Sequence, residues 1–176
     1  MGRLAAESCR ISSRAFPLVL VACVGCDQAS KQAAGRLLAG AYPMSLFGDT
    51  VRFELASNPG AFLSLGAGLA EPVRHALLLG LVPALLALVC CACLFGPARL
   101  SRGGLVALGL IAGGGLGNWL DRVLHDGSVT DFVSLGLGRF RTGIFNVADV
   151  AVLAGVLLMM HSARRREPAR GPADPW

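Results

Sequence analysis

The sequence predicts an all-helical membrane fold: a bundle of four transmembrane helices, with a small strand-rich extracytoplasmic surface element between helices one and two. Three observations predict it. Of 176 residues, 54% are hydrophobic and 15% charged, where about 25% charged is usual in a soluble domain. Mean hydropathy is +0.61, which excludes a disordered chain and argues against an ordinary water-soluble globule. Four apolar runs approach the ~20 residues that a helix needs to cross a bilayer.

The first span is expected at about 15–34, with polar residues in its second half. The second, about 73–95, carries Pro83, which neighbouring helices tolerate inside a membrane. The third, about 104–123, contains the run Gly113-Gly114-Gly115-Leu116-Gly117. Within a span, that run reads as a surface for close helix packing. The fourth is expected at about 144–161. Between the first two spans, Val51-Arg52-Phe53-Glu54-Leu55 alternates with the strand period, and Asn58-Pro59-Gly60 marks a turn. Residues 96–103 and 125–143 read as loops. The expected organisation is one membrane-embedded domain, 1–161, and a polar, disordered tail, 162–176.

An even number of spans puts both termini on one side. The arginines of that side (Arg3, Arg10, Arg14, Arg99, Arg102, Arg164, Arg165, Arg166 and Arg170) occupy short segments. The positive-inside rule therefore places the termini in the cytoplasm. Net charge is +5 and the pI about 9.2. The arginines bracket apolar runs and aromatic residues make up only 6%, so nucleic acid is not the expected partner. Cysteines lie mostly inside apolar stretches, where they behave as small hydrophobes. Leu20-Val21-Ala22-Cys23 resembles a bacterial lipobox, which leaves one alternative: that the chain is itself a lipoprotein, lipidated at Cys23.

Ionisable groups inside a span carry a penalty of ~2.5–3.5 kcal/mol each and are functional candidates by default. Here they all map to one side. Asp27 and Lys31 lie one turn apart on helix one; Asn118, Asp121 and Arg122 end helix three; Asn146 and Asp149 begin helix four. Spacings of three and four keep each group on one helical face, and the alternating helix directions bring all three groups to the extracytoplasmic side, with Asn58 and Asp131. The chain has fifteen Arg but a single Lys, and only three Asn. Lys31, Asn58, Asn118 and Asn146 all fall in this set. Asp27 with Lys31, and Asp121 with Arg122, read on their own as ion pairs. Two unpaired carboxylates brought together share a proton. One can then act as base on water while the other polarises a carbonyl. Asp121, Asp131 and Asp149 compete for that role, and spacing does not choose among them. A second reading is a transporter or channel subunit relaying protons through the same carboxylates, but that function spaces them through the membrane depth. No zinc, nucleophile-elbow or phosphate-loop motif occurs, so no metal or cofactor is expected.

Taken together, these residues resemble the lipoprotein signal peptidase family, signal peptidase II, from about Phe16 to Met160. The boxes are Asp27-Gln28-Ala29-Ser30-Lys31, then Gly113 through Asn118-Trp119-Leu120-Asp121-Arg122, then Val129-Thr130-Asp131-Phe132, then Phe145-Asn146-Val147-Ala148-Asp149. The resemblance implies that Asp131 and Asp149 are the catalytic aspartates. It makes Asp27, Lys31, Asn58, Gly60, Asn118, Asp121, Arg122, Asn146 and Ala148 supporting and substrate-orienting positions. It also implies diacylglyceryl-modified prolipoprotein substrates cut before the lipidated Cys, contact with membrane lipids, inhibition by globomycin, and a place in the bacterial cytoplasmic (inner) membrane with the site near the extracytoplasmic face. Two departures stand out. Asn58-Pro59-Gly60-Ala61-Phe62 is one Ala shorter than the family pattern, which shifts Phe62, and Thr130 replaces an apolar residue, setting a hydroxyl beside a carboxylate.

Overall fold

The structure is a computed structural model that describes residues 2–61, 65–95 and 100–164, with side chains from residue 15 onward. Its elements run α1 (Gly2–Leu38), β1 (Met44–Leu46), β2 (Val51–Asn58), α2 (Glu71–Phe95), α3 (Arg102–Leu124), β3 (Val129–Leu137), β4 (Phe140–Arg141) and α4 (Val147–Arg164). Among the described residues, α2, α3 and α4 are long and apolar enough to cross a bilayer. The expected disordered tail, 162–176, is corrected at its start, since Ser162, Ala163 and Arg164 end α4; the rest of it lies outside the described residues, as does Phe62.

α3 is the central helix because its glycines let neighbours approach. A Cβ on Gly113 would lie 2.7 Å from that of Cys23 on α1, and one on Gly114 would lie 2.5 Å from the Ala148 carbonyl on α4. The expected packing role of the glycine run is therefore what it does. α1 answers with one face: among its residues with described side chains, Cys23, Asp27, Lys31 and Ala34 are buried, spaced by three and four. α3 starts on a capping serine, with the Gly104 N–H donating to Ser101 Oγ at 3.1 Å. It ends in a Schellman turn, with the Gly127 N–H donating to the Arg122 carbonyl at 2.8 Å and Asp126 at φ 49°.

That turn feeds a strand where a loop was expected. β3 pairs antiparallel with β2, completing one sheet of order β1-β2-β3-β4. The sheet thus draws on two chain segments, not only on the one between the first two helices. β3 carries an alternation in Val133-Ser134-Leu135-Gly136-Leu137, but there Ser134 is buried while Leu135 and Leu137 are exposed, so its apolar residues do not mark a core face and its pairing rests on the edge that β2 offers. The register sets Asn58 opposite Val129 and Ala56 opposite Asp131, so Asn58 and Asp131 are diagonal neighbours on one face. Phe145 then bridges to Val133, which delays α4 to Val147, three residues after the expected start at 144.

Candidate active site

The N-terminus of α4 is built from the residues of the site. Asn146 caps it: the Asp149 N–H donates to Asn146 Oδ1 at 3.0 Å, and Asp149 Oδ2 accepts the Asn146 N–H at 3.4 Å. This is a capping box with asparagine and aspartate in its two roles. A further orphan donor of the first turn, the Ala148 N–H, reaches across to Asp27 Oδ1 on α1 at 2.9 Å. Helix entry and candidate chemistry therefore use the same atoms.

Lys31 sits at the junction of α1 and α3. Its ammonium lies 2.7 Å from Asp27 Oδ2 and 3.1 Å from Asp121 Oδ2, and donates to Asn118 Oδ1 at 2.9 Å. An ammonium has three donors, and all three are used. Because Asn118 Oδ1 also accepts from Asn146 Nδ2 at 3.0 Å, the Asn118 amide nitrogen is turned toward Asp149 Oδ1, to which it donates at 2.9 Å. Asn146 Nδ2 also donates to Asp131 Oδ1 at 2.6 Å, and Asn58 Nδ2 to Asp131 Oδ2 at 2.9 Å. Three asparagines thus hold the two carboxylates: Asn146 spans both, and the one lysine orients Asn118 toward Asp149.

The surface turn is tied in by backbone. The Gly60 N–H donates to Asn58 Oδ1 at 2.9 Å, and Arg122 donates to the Gly60 carbonyl at 2.6 Å and to the Asn118 carbonyl at 2.9 Å. The expected Asp121–Arg122 pair is therefore corrected: Asp121 is ion-paired with Lys31, and Arg122 binds carbonyls. Adjacent helical positions point away from each other, and each side chain finds its partner on another element. Thr130 enters through its backbone, its N–H donating to Asp121 Oδ2 at 2.9 Å. Gln28 was not among the expected site residues. It donates to Asp121 Oδ1 at 3.0 Å and to the Gly117 carbonyl at 3.2 Å, and its place beside Asp27 in the first box was the available signal. A side chain at Gly117 would collide with Asp27, since a Cβ there would lie 2.6 Å from Asp27 Oδ2.

The network is dry. Asp27, Asp121, Asp131 and Asn146 are each at most 1% exposed. Burial pushes the Asp131 carboxyl up to about 6; amide donation from Asn58 and Asn146 opposes the rise, and the nearby Asp149 adds to it. A carboxyl in that range can hold or release a proton near neutral pH.

A pair of carboxylates held by amides at one end of an apolar helical bundle defines a class: the aspartic hydrolases, here in a membrane fold. The chain belongs to the signal peptidase II family, a family of aspartic peptidases, whose description, signal peptidase (SPase) II, matches residues 19–164. Among similar proteins, the lipoprotein signal peptidase of Sphingopyxis alaskensis is 40% identical over 121 residues, 68% of this chain and 66% of that one. That of Mycolicibacterium smegmatis is 34% identical over 142 residues, 76% of this chain and 54% of that one. That of Mycobacterium bovis is 32% identical over 147 residues, 81% of this chain and 67% of that one. The matched region thus spans between about half and two thirds of these relatives' length. Two solved bacterial membrane enzymes share the fold. One has a TM-score of 0.73 at 21% identity, over 90% of this chain and 93% of the other. The second has a TM-score of 0.69 at 24% identity, over 87% and 94%.

Proposed function

We propose that the protein is a membrane aspartic endopeptidase that removes the signal peptide from diacylglyceryl-modified prolipoproteins, cutting before the lipidated Cys. The observation that carries this reading is the joint suspension of Asp131 and Asp149 from Asn58, Asn118 and Asn146. Amides orient carboxylates and take no part in proton exchange, so the proton stays with the pair. One aspartate draws the proton from a water that attacks the scissile carbonyl carbon, while the other gives its proton to the carbonyl oxygen; the first then passes the proton taken from water to the leaving amine, and the second recovers its own as the carbonyl re-forms. Asp27, Lys31, Asp121, Arg122 and Ala148 support the site, while Asn58, Asn118 and Asn146 orient the pair and the substrate, with Gly60 in the surface turn. The pH profile of such a shared proton is bell-shaped.

In this reading α1 is the fourth span. The termini face the cytoplasm, and the site opens near the extracytoplasmic face of a bacterial inner membrane. The signal helix lies among the helices with its lipid chains in the bilayer, and globomycin blocks the site. The connected network at one end of the bundle speaks against a relay through the membrane depth. Cys23 is buried against Gly113 in mid-helix, which speaks against lipidation there. The test is cleavage of a lipidated prolipoprotein by purified protein in detergent, with and without globomycin. Asp131→Asn and Asp149→Asn should each slow cleavage by at least about 100-fold. Cleavage at the wild-type rate by either variant overturns the pair.

A further inference from the structure

α2 is held differently from its neighbours: it has no buried residue among those described, whereas α3 and α4 both have several. Two contacts seat it on α3. At one, Leu86 lies so close to Gly115 that a Cβ there would come within 2.6 Å of it. At the other, the Trp119 indole N–H donates to the Leu79 carbonyl at 3.2 Å.

The acceptor in that bond is accounted for by the sequence. In an α-helix the carbonyl of residue 79 closes on the N–H of residue 83. Residue 83 is Pro83, which has no N–H and whose ring crowds that same carbonyl. The π-helical segment Ala76–Leu81 contains Leu79 and is capped by Val82, the residue before Pro83; the Val82 N–H closes on the Leu77 carbonyl. This is a local widening of the kind that accommodates such an insult. A carbonyl freed in hydrocarbon must find another donor, and indole nitrogen is a donor only.

Trp119 is also a wall shared by two cavities. Toward the start of α1 and the start of α3, an apolar cavity of about 290 Å³ lies between α1, α2 and α3, bounded by Phe16, Leu20, Leu86 and Leu116. Above it, a cavity of about 360 Å³ is bounded by His75, Leu79, Val123, Asp126 and Arg122. Arg122 is the residue that grips Gly60, two positions from the Asn58 that holds Asp131. The upper cavity is therefore linked to Asp131 through Arg122, Gly60 and Asn58, and α2 forms one of its sides.

We propose that Trp119 is a positioning residue of the peptidase: by capping the carbonyl that Pro83 frees, it pins α2 to α3 and sets the width of the cavity beside Arg122 that receives substrate. This rests on the peptidase reading above. Trp119→Phe keeps an aromatic ring and deletes the donor. It should raise KM for a lipidated prolipoprotein about fivefold and leave kcat within about twofold, the pattern of lost binding common to ground and transition states. Misfolded molecules lower the apparent kcat instead. Pro83→Ala returns an N–H to α2, and in the Trp119→Phe background it should bring KM back toward the wild-type value. An unchanged KM in Trp119→Phe, a fall in kcat alone, or a KM that Pro83→Ala leaves raised each overturns the proposal. If the wild-type protein cleaves no lipidated substrate, the peptidase reading fails. The cap is then decided by thermal unfolding in detergent: Trp119→Phe should lower the midpoint and Pro83→Ala restore it, and no restoration overturns it.

Discussion

The two ends of the sheet each hold an aspartate, and their surroundings drive the two in opposite directions. Asp49, in the turn between β1 and β2, accepts from Ser45 Oγ at 2.6 Å and meets Arg52 and Arg141 at 2.7 Å each, with its side chain 44% exposed. The Ser45 hydroxyl and the Arg52 guanidinium hold its carboxyl down at about 2. Asp131, on β3, also accepts two short hydrogen bonds, yet burial carries it up to about 6. The two differ in donors and in burial: at Asp49 guanidinium groups meet a carboxylate that water also solvates, whereas at Asp131 neutral amides hold one that burial has withdrawn from water. The outer aspartate is a fixed anion that fastens strands; the inner one is poised to exchange a proton.

The comparison breaks most visibly at Lys31, which backs the inner end. Lys31→Met strands two buried carboxylates, Asp27 and Asp121, without their cation. Breaking a buried pair from one side carries a penalty of about 3–5 kcal/mol, so the variant should unfold at markedly lower denaturant concentration and cleave nothing. Lys31→Arg is the sharper probe. A planar guanidinium does not place three donors as a compact ammonium does, so Asn118 should lose its orientation toward Asp149. Cleavage should fall while much of the stability remains. Full activity in Lys31→Arg would make the single lysine incidental.

A smaller effect is expected at Asn58. Its amide lowers the Asp131 pKa by stabilising the charged form. If Asp131 in its ionised form starts the reaction, the acid limb of log kcat/KM against pH falls near 6 in the wild-type protein. Asn58→Ala removes one stabiliser of the anion, so the limb should move to higher pH by about one unit. A limb that stays in place, or moves down, would show that the inner aspartate is not governed by this balance.

The legible parts of the molecule were those encoded in local periodicity. The apolar runs located α2, α3 and α4 to within a few residues, and the three-and-four spacings of Asp27, Lys31, Asn118, Asp121, Asn146 and Asp149 placed each on the face that the network uses. What depended on distant partners was not legible. β3 is a strand because β2 lies beside it. Asp121 chooses Lys31 over the adjacent Arg122 because α1 packs against α3, a choice that no spacing along α3 records. The Asp49 cluster escaped notice because Arg141 reaches it from 92 residues away. The choice of Asp131 and Asp149 over Asp121 came from resemblance; in the structure Asp121 shares the Lys31 ammonium with Asp27, while the other two carboxylates are held by amides.

The smallest effect belongs to the outer end. Asp49→Ala removes an anion that sits in water between two guanidinium groups, and solvent screening leaves such exposed pairs with little net stabilisation. What remains has a definite sign with pH. The folded carboxyl titrates at about 2, below the ordinary value of about 4 for an unfolded Asp. The stabilisation is therefore complete above about 4 and lost as pH falls through about 2. The wild-type and Asp49→Ala proteins should differ slightly at neutral pH and converge on acidification. They should also converge at neutral pH in ~1 M salt, where the screening length drops to about 3 Å. The Lys31→Met deficit should survive that salt, because ions do not enter a site whose carboxylates are almost wholly buried. A salt-sensitive Lys31→Met deficit, or a salt-insensitive Asp49→Ala one, would erase the distinction in screening between the two ends, which rests on burial.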